Sequence, residues 1–394
     1  MTQVIGYRDA ETGGSGWLVF DGLDCRIAAG GCRVQRGLTA GTLTMLAGRM
    51  TLKERLLGIN VDGAKCGLDL DPRDPGKAAA VRRFLRFLRP HLATRFSMGC
   101  DMGTRWAELE GLARAEGIWS IKHAVKTGQG LSDDEFFARL RTLEAPLGMM
   151  TVGQRRAGHA LAQAALAAAG LAGIPAPRCA LQGFGNLGRA AAYSLAEEGV
   201  RITAVADEYG CVTDPAGLDV TRMLATRHGT PIPLTVPGAH RRPGAEVFDA
   251  PADVLLLAAG ERAVSAERAA RLRFPVVVVG ANYGLSPEVE RSLVGAGTLV
   301  VPDFVGGVGG SASMEALFGP ARPPAPADVL DGLTAMMHQI MAHLAGVARQ
   351  GGLSLRGAAE KVAAEAPVSP GDRPYGGSPY LAEISLARAV GGVR

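Results

Sequence analysis

The apolar run Cys179–Gln182, CALQ, leads straight into GFGNLG (Gly183, Phe184, Gly185, Asn186, Leu187 and Gly188) and then into the helical segment RAAAYSLAEEG. This order constrains the chain more than any other feature, because each glycine has its own steric task. One makes a tight turn, one lets the backbone approach a pyrophosphate, and one lets the helix pack on the strand. The diphosphate would lie at the helix N-terminus, where unpaired N–H groups and the helix dipole favour an anion. The next apolar run, RITAVA, ends on Asp207, 19 residues after Gly188, where a carboxylate can accept hydrogen bonds from the adenosine ribose hydroxyls. Asp207 and its neighbour Glu208 would repel a 2′-phosphate, so NAD is expected rather than NADP. A glycine-rich structural turn and a solvated strand-end acid are the plainer alternatives for these residues.

Short apolar runs continue at Val254–Leu257, Val276–Val279 and Thr298–Val301, separated by helical stretches. That alternation predicts a doubly wound parallel sheet of Rossmann type. An Ala-rich helix is expected from about Val152 to Ala169, and PARPPAP breaks the chain at 320–326 before another helix at about Asp328 to Arg349, a candidate return connection. The first third mixes alternating runs, Trp17–Phe20 and Leu57–Val61, with amphipathic patterns at Ala40–Leu57 and Gly76–Leu88. The expectation is an α/β protein of two domains. Residues 1–148, joined by a C-terminal segment from about 340 to 394, form the first, and 149–339 form the second. The Pro/Gly-rich stretch 367–379 reads as irregular loop.

A chain of 394 residues, 47% hydrophobic, can bury cores for two domains. Its net charge of +4 comes from interspersed residues without a Lys/Arg block, so no nucleic-acid partner is expected. Six scattered cysteines show no CxxC pair or metal-ligand cluster, and read as reduced thiols. The N-terminal segment lacks a basic region followed by an apolar one, and no apolar run nears the roughly 18 residues of a membrane span. A cytoplasmic protein without membrane attachment is expected.

Lys53 in MTLKERLLGINV and Lys65 in VDGAKCGLDL stand in apolar or Gly-rich surroundings. Lysine is costly to bury, so an anionic substrate could compensate the pair, and a cationic neighbour would lower a lysine pKa toward general acid/base work. Asp101 in FSMGCDMGTR occupies a loop from which a carboxylate could serve the same chemistry. Surface lysines and a turn or N-cap aspartate remain the open alternatives.

Together these segments resemble the glutamate/leucine/phenylalanine/valine dehydrogenase family over most of the chain, from about Leu18 to near Phe318. The segments are AGGCRV (29–34), GRMTLKERL (48–56), DGAKCGLDLDP (62–72), CDMGT (100–104), QGFGNLGRA (182–190), GAN (280–282) and VPDFVGGVGGS (301–311). The resemblance implies an N-terminal α/β domain for substrate and oligomerisation, a dinucleotide domain, and a homo-oligomer. It implies that Lys53 binds the substrate α-carboxylate, that Lys65 polarises the carbonyl and activates water, and that Asp101 shuttles protons at the amino nitrogen. Gly30 and Gly31 would border the substrate, with Ser311 also on the substrate side. Asn282 would lie near substrate and nicotinamide, and Thr151 near the nicotinamide carboxamide. Ala258 and Ala259, after the strand Val254–Leu257, complete the expected cofactor contacts. The implied activity is NAD-dependent oxidative deamination of a 2-amino acid, reversible as reductive amination of the 2-oxo acid with ammonia, and no metal is implied.

The pattern breaks where side-chain specificity is set. Glutamate-specific members carry a lysine just before the Gly-Gly pair and a serine late in the cofactor domain, whereas Ala29 and Met314 stand here. An unpaired γ-carboxylate would cost several kcal/mol, so Ala29, Gly99 and Met314 are expected to line an apolar pocket for an apolar L-2-amino acid. Gly307 replaces an Asn common among relatives. The altered positions leave two alternatives: imine or keto reduction on the same scaffold, or a catalytically silent dinucleotide-binding subunit.

Overall fold

The computed structural model describes residues 1–227, 229–234 and 241–381. The chain forms two compact units, residues 1–138 with 363–379, and residues 139–362 with 380 and 381.

In the first unit the elements run β1 (Gln3–Arg8), β2 (Ser15–Phe20), β3 (Ile27–Val34), α1 (Ala40–Leu56), β4 (Val61–Leu68), α2 (Lys77–Thr94), β5 (Phe96–Cys100), α3 (Trp106–Ala115) and α4 (His123–Gln129). The sheet order is β1-β2-β4-β3-β5, with β3 parallel to both β4 and β5 and β2 antiparallel to β1 and β4. Successive side chains on a strand face opposite ways. One sheet face therefore sends Ala28, Cys32, Ala64, Cys66, Phe96 and Met98 into a core with Phe84, Leu85 and Leu88 of α2. The other face lies under α1, so close that a Cβ on Gly63 would sit 2.3 Å from Ala47 O and Thr51 N. The run Leu57–Val61, expected as a strand, instead caps α1 and turns at Gly58 with φ +67°. The strand that follows is buried on both faces, so it shows no alternation to mark its start.

Helix α5 (Asp133–Glu144) crosses the boundary between units, followed by β6 (Pro146–Leu147), β7 (Met150–Thr151), α6 (Val152–Leu171), β8 (Arg178–Gln182), α7 (Asn186–Glu197), β9 (Arg201–Asp207), β10 (Gly210–Thr213) and α8 (Val220–Leu224). Then come β11 (Val254–Leu257), α9 (Ala266–Ala269), β12 (Val276–Val279), α10 (Pro287–Gly295), β13 (Leu299–Val301), α11 (Asp303–Gly306), α12 (Gly309–Phe318), α13 (Pro326–Gly351) and α14 (Leu355–Glu365). The main sheet of this unit has the order β10-β9-β8-β11-β12-β13. All its neighbours are parallel except the edge strand β10, as the alternation of apolar runs and helices predicts.

The helix expected to return to the first domain does not do so. Helix α13 packs on α6 within the second unit, burying Val329, Leu333, Met336, Met337, Ile340 and Leu344 along one stripe. Among the described residues of the C-terminal segment, 363–379 join the first unit, whose N-terminal part ends at Ala138 rather than at 148. His159 ties the helices together: Nδ1 pairs with Ser194 Oγ at 3.0 Å and Nε2 with Thr334 Oγ1 at 2.8 Å. Burial, helped by the Arg155 cation, pushes its pKa down to about 4. Between about pH 6.5 and 4 the unfolded chain takes up a proton that the folded chain refuses, so stability falls as pH is lowered through that window. His159→Gln is expected to flatten this slope by on the order of 2 kcal/mol. Thermal melts at pH 7 and pH 5 check it, and equal slopes for both proteins would refute the assignment.

Among the described residues no helix is long and apolar enough to cross a membrane. All six cysteines are free, five of them buried.

Candidate active site

On the α1-facing side of the first sheet, residues two apart on a strand share a face. Ala29, Gly31 and Arg33 of β3, Gly63 and Lys65 of β4, and Ser97 and Gly99 of β5 lie on that side by alternation and register. The β3–β4 pairing stops at Gly30 and Gly31 and resumes at Cys32. Both positions demand glycine: a Cβ on Gly30 would meet Ala64 O at 1.6 Å, and one on Gly31 would meet Cys100 O at 2.8 Å and Asp101 Cβ at 2.9 Å. The Gly-Gly pair lets three strands crowd together beside Lys65 and Asp101.

Lys65 and Asp101 are brought into direct contact, Nζ to Oδ2 at 2.7 Å, with the Lys65 side chain only 4% exposed. Arg33, which the sequence reading passed over although it stands in AGGCRV, donates from Nε to the same oxygen at 3.2 Å. Met102 N donates to Asp101 Oδ1 at 2.7 Å, and Thr104 Oγ1 receives Asp101 N while donating to Cys32 O at 2.8 Å. Burial alone would raise the Asp101 pKa, but Lys65, Arg33 and these hydrogen bonds outweigh it and hold the carboxyl well below the usual carboxylate range. Asp101 is thus an ionised carboxylate gripped by two cations. Lys53 lies buried on α1, the helix over this face.

Two further cations flank the residues expected to line an apolar pocket, and neither was found from the sequence. Lys122, 4% exposed, donates from Nζ to Ser97 Oγ at 3.1 Å, and this Nζ lies 3.9 Å from where a Cβ of Gly99 would be. In the second unit Arg156 donates from Nη1 to Ser313 Oγ at 2.8 Å and lies 3.6 Å from Met314 Sδ. Ala29 is buried and Gly99 half-buried, whereas Met314 and Ser311 are buried in α12.

In the second unit the glycine motif forms a tight turn from strand to helix. Gly183 has φ +105°, and a Cβ there would meet Ala259 Cβ at 2.5 Å. A Cβ on Gly188 would sit 1.9 Å from Gly183 O, so α7 packs hard against the turn. Gly185 faces open space, and α7 starts at Asn186 without a side-chain cap, leaving its first N–H groups for an anion. Phe184 lies beneath Arg189, whose guanidinium is 5.2 Å from the ring centroid, and Leu187 approaches Gly280. Ala258 N donates to Gln182 O at 2.8 Å, so the ends of β8 and β11 meet where the strand order reverses. Asn282 follows β12, and Tyr283 next to it takes a positive φ of 54°. Thr151 caps α6, accepting from Gln154 N at 3.3 Å.

At the end of β9, Asp207 accepts from Tyr209 N and Ile232 N, each at 2.8 Å, and pairs with Arg241 Nη1 at 3.4 Å. The arginine offsets part of the negative charge that argued against a 2′-phosphate.

Residues 156–368 match the family model described as Glutamate/Leucine/Phenylalanine/Valine dehydrogenase, and residues 16–115 match the Glu/Leu/Phe/Val dehydrogenase dimerisation domain. A glutamate dehydrogenase of Aeropyrum pernix is 28% identical over 71% of this chain and 66% of its own length. A probable glutamate dehydrogenase of Sinorhizobium fredii is 30% identical over 73% of this chain and, again, 66% of its own. Among solved structures, the Leu-bound hetero-hexameric glutamate dehydrogenase of Thermus thermophilus superposes with a TM-score of 0.72 at 26% identity, covering 93% of this chain and 87% of that one. The Plasmodium falciparum glutamate dehydrogenase, 17% identical with a TM-score of 0.73 over 92% and 80% of the two chains, shares the fold.

Proposed function

The chain belongs to the glutamate/leucine/phenylalanine/valine dehydrogenase family, and from that membership we propose that it oxidatively deaminates an L-2-amino acid to the 2-oxo acid and ammonia, reversibly, with NAD as acceptor. The observation that carries the proposal is the buried Lys65–Asp101–Arg33 cluster, a charge arrangement that a structural domain has no need to build.

The dinucleotide, when bound, supplies the hydride acceptor, and Gly183–Gly188 with Asp207 are the residues that would hold it. Lys53 binds the substrate α-carboxylate, fixing the α-carbon in one orientation. Ionised Asp101 takes a proton from the substrate ammonium, which frees the nitrogen lone pair to assist hydride departure. Lys65 then polarises water for addition at the imine carbon, and Asp101 returns its proton to the departing ammonia. Arg33 holds Asp101 in place and ionised. Gly30, Gly31 and Ser311 border the substrate, while Asn282, Thr151, Ala258 and Ala259 serve the nicotinamide side. Ala29 and Gly99 suit an apolar stem next to the α-carbon. NAD is favoured over NADP by the acids Asp207 and Glu208, with Arg241 narrowing the margin. A homo-oligomer belongs to the same proposal, supported by the dimerisation-domain match, and so does a cytoplasmic location.

The test is the absorbance of reduced nicotinamide with a panel of 2-amino acids and NAD or NADP, then 2-oxo acids with and without ammonia. Ammonia-dependent reduction of 2-oxo acids and NAD reduction by amino acids are expected, with Lys65→Ala lowering kcat by about 10²-fold or more. Reduction of 2-oxo acids without ammonia would point to keto reduction instead. Saturable dinucleotide binding with no turnover would leave only a silent binding subunit.

A further inference from the structure

Among the described residues, two that are not glycine take a positive φ, Arg262 at 49° and Tyr283 at 54°. They are joined to each other: Arg262 N donates to Tyr283 O and Ala263 N to Gly284 O, each at 2.8 Å. Left-handed backbone crowds a Cβ, so the pair needs support from its surroundings. Both loops leave the carboxyl ends of neighbouring parallel strands, β11 and β12, where a doubly wound sheet takes its ligand. The first loop opens with Ala258 and Ala259 and the second holds Asn282, residues assigned above to the nicotinamide side. In the second loop Gly284 N donates to Ala281 O at 3.0 Å, closing a turn with Asn282 and Tyr283 at its centre. Glycine or asparagine ordinarily supplies a positive φ at the third place of such a turn.

The support for Tyr283 comes from α10, α11 and α14. Asp303, 2% exposed, accepts from Tyr283 N at 2.9 Å through Oδ2 and from Arg356 Nη2 at 3.1 Å through Oδ1. Arg356 is fixed in turn by Glu290, to which Nε and Nη2 each donate at 2.7 Å, and it lies over the Phe304 ring, 5.4 Å from the centroid. A Cβ on Gly306 would meet Val279 O at 2.4 Å, so α11 lies directly on the end of β12 and brings Asp303 to the turn. Burying such charges gains little stability by itself, because desolvation offsets most of their attraction. What the network does is fix direction: a bidentate pair sets the guanidinium, which sets the carboxylate, which grips a strained peptide.

We propose that Asp303 and Arg356 are positioning residues: they keep the 281–284 turn left-handed at Tyr283 and so hold Asn282, and through Arg262 the loop after β11, in place for the dinucleotide. The proposal deepens the dehydrogenase reading above and rests on it. Without the clamp Tyr283 relaxes toward negative φ, which disfavours the binding form of the turn by about 5- to 30-fold. The apparent affinity for the dinucleotide then falls by the same factor.

Fluorescence titration with NADH tests this on the full chain, with Asp303→Ala, Arg356→Met, Arg356→Lys and Tyr283→Gly. Asp303→Ala and Arg356→Met are expected to weaken binding by about 5- to 30-fold and to speed hydrogen exchange at the Tyr283 amide before any ligand is added. Arg356→Lys, which keeps the charge but not the fork, is expected to fall between wild type and Arg356→Met. The double variant separates positioning from mere support of the fold. Glycine at 283 takes a positive φ without strain, so Asp303→Ala added to Tyr283→Gly is expected to cost only about threefold or less in affinity. Should Asp303→Ala not fold, Arg356→Met added to Tyr283→Gly reads the same coupling. Equal losses in the two backgrounds, or NADH affinity and amide exchange unchanged in the single variants, would overturn the proposal. A wild type that binds NADH but oxidises no amino acid would sink the dehydrogenase reading alone, and the titrations would still decide the clamp.

Discussion

Asp101→Asn is expected to lower kcat by about 10²- to 10⁴-fold while dinucleotide affinity, measured by fluorescence titration of the reduced cofactor, stays within a few-fold of wild type. The carboxylate accepts from Lys65 Nζ at 2.7 Å, Arg33 Nε at 3.2 Å and Met102 N at 2.7 Å. The amide keeps the shape of the side chain, yet it can neither take a proton from the substrate ammonium nor offset two buried cations. Leaving charges unpaired in this way costs about 3–5 kcal/mol, so the variant should also melt earlier, and kinetics must be read at a temperature where it is folded. A folded Asp101→Asn enzyme with kcat within tenfold of wild type would remove Asp101 from proton transfer. Glu at this position provides the contrast: it restores the base but displaces it by a methylene, so partial recovery of kcat identifies proton transfer as the lost function.

Gly30→Ala is expected to destabilise the first unit by about 3 kcal/mol or more and to abolish activity with it. The added Cβ would lie 1.6 Å from Ala64 O, 2.5 Å from Ala64 C and 3.2 Å from Lys65 N. These are backbone atoms, so no rotamer change relieves the clash. Strand β3 is held on both edges by parallel partners, so one of the three strands must shear, and β4 carries Lys65 with it. Gly99→Ala is the control on the same face, because nothing but Gly30 O at 3.8 Å and Lys122 Nζ at 3.9 Å lies near its new methyl. Urea melts separate the two: the Gly30 variant should unfold at clearly lower urea and the Gly99 variant near wild type. Coincident midpoints would mean that the Gly-Gly pair is kept for the substrate alone, not for the packing of the sheet.

Much of this molecule was legible before any coordinates. The alternation of apolar strands and helices, the GFGNLG turn and the acid closing RITAVA are local in sequence, and local backbone sterics determine what they form. Lys53, Lys65 and Asp101 were marked by residue types unusual for their surroundings. What lay beyond the sequence was partnership across long separations. That Arg33, Lys65 and Asp101 share one oxygen follows from β3 standing between β4 and β5, a register set by sheet topology and by the space two glycines leave. The same cause hid Lys122 behind Gly99, Arg156 against Met314 and Arg241 on Asp207, three cations whose helices and loops give no local sign of what they face. The helix α13 is a further case: its apolar stripe announced that one face is buried, but any complementary surface would satisfy that need, and only the fold chose α6. Periodicity and steric rules along the chain determine the elements, while charge pairing and face-to-face packing depend on which elements the tertiary structure makes neighbours.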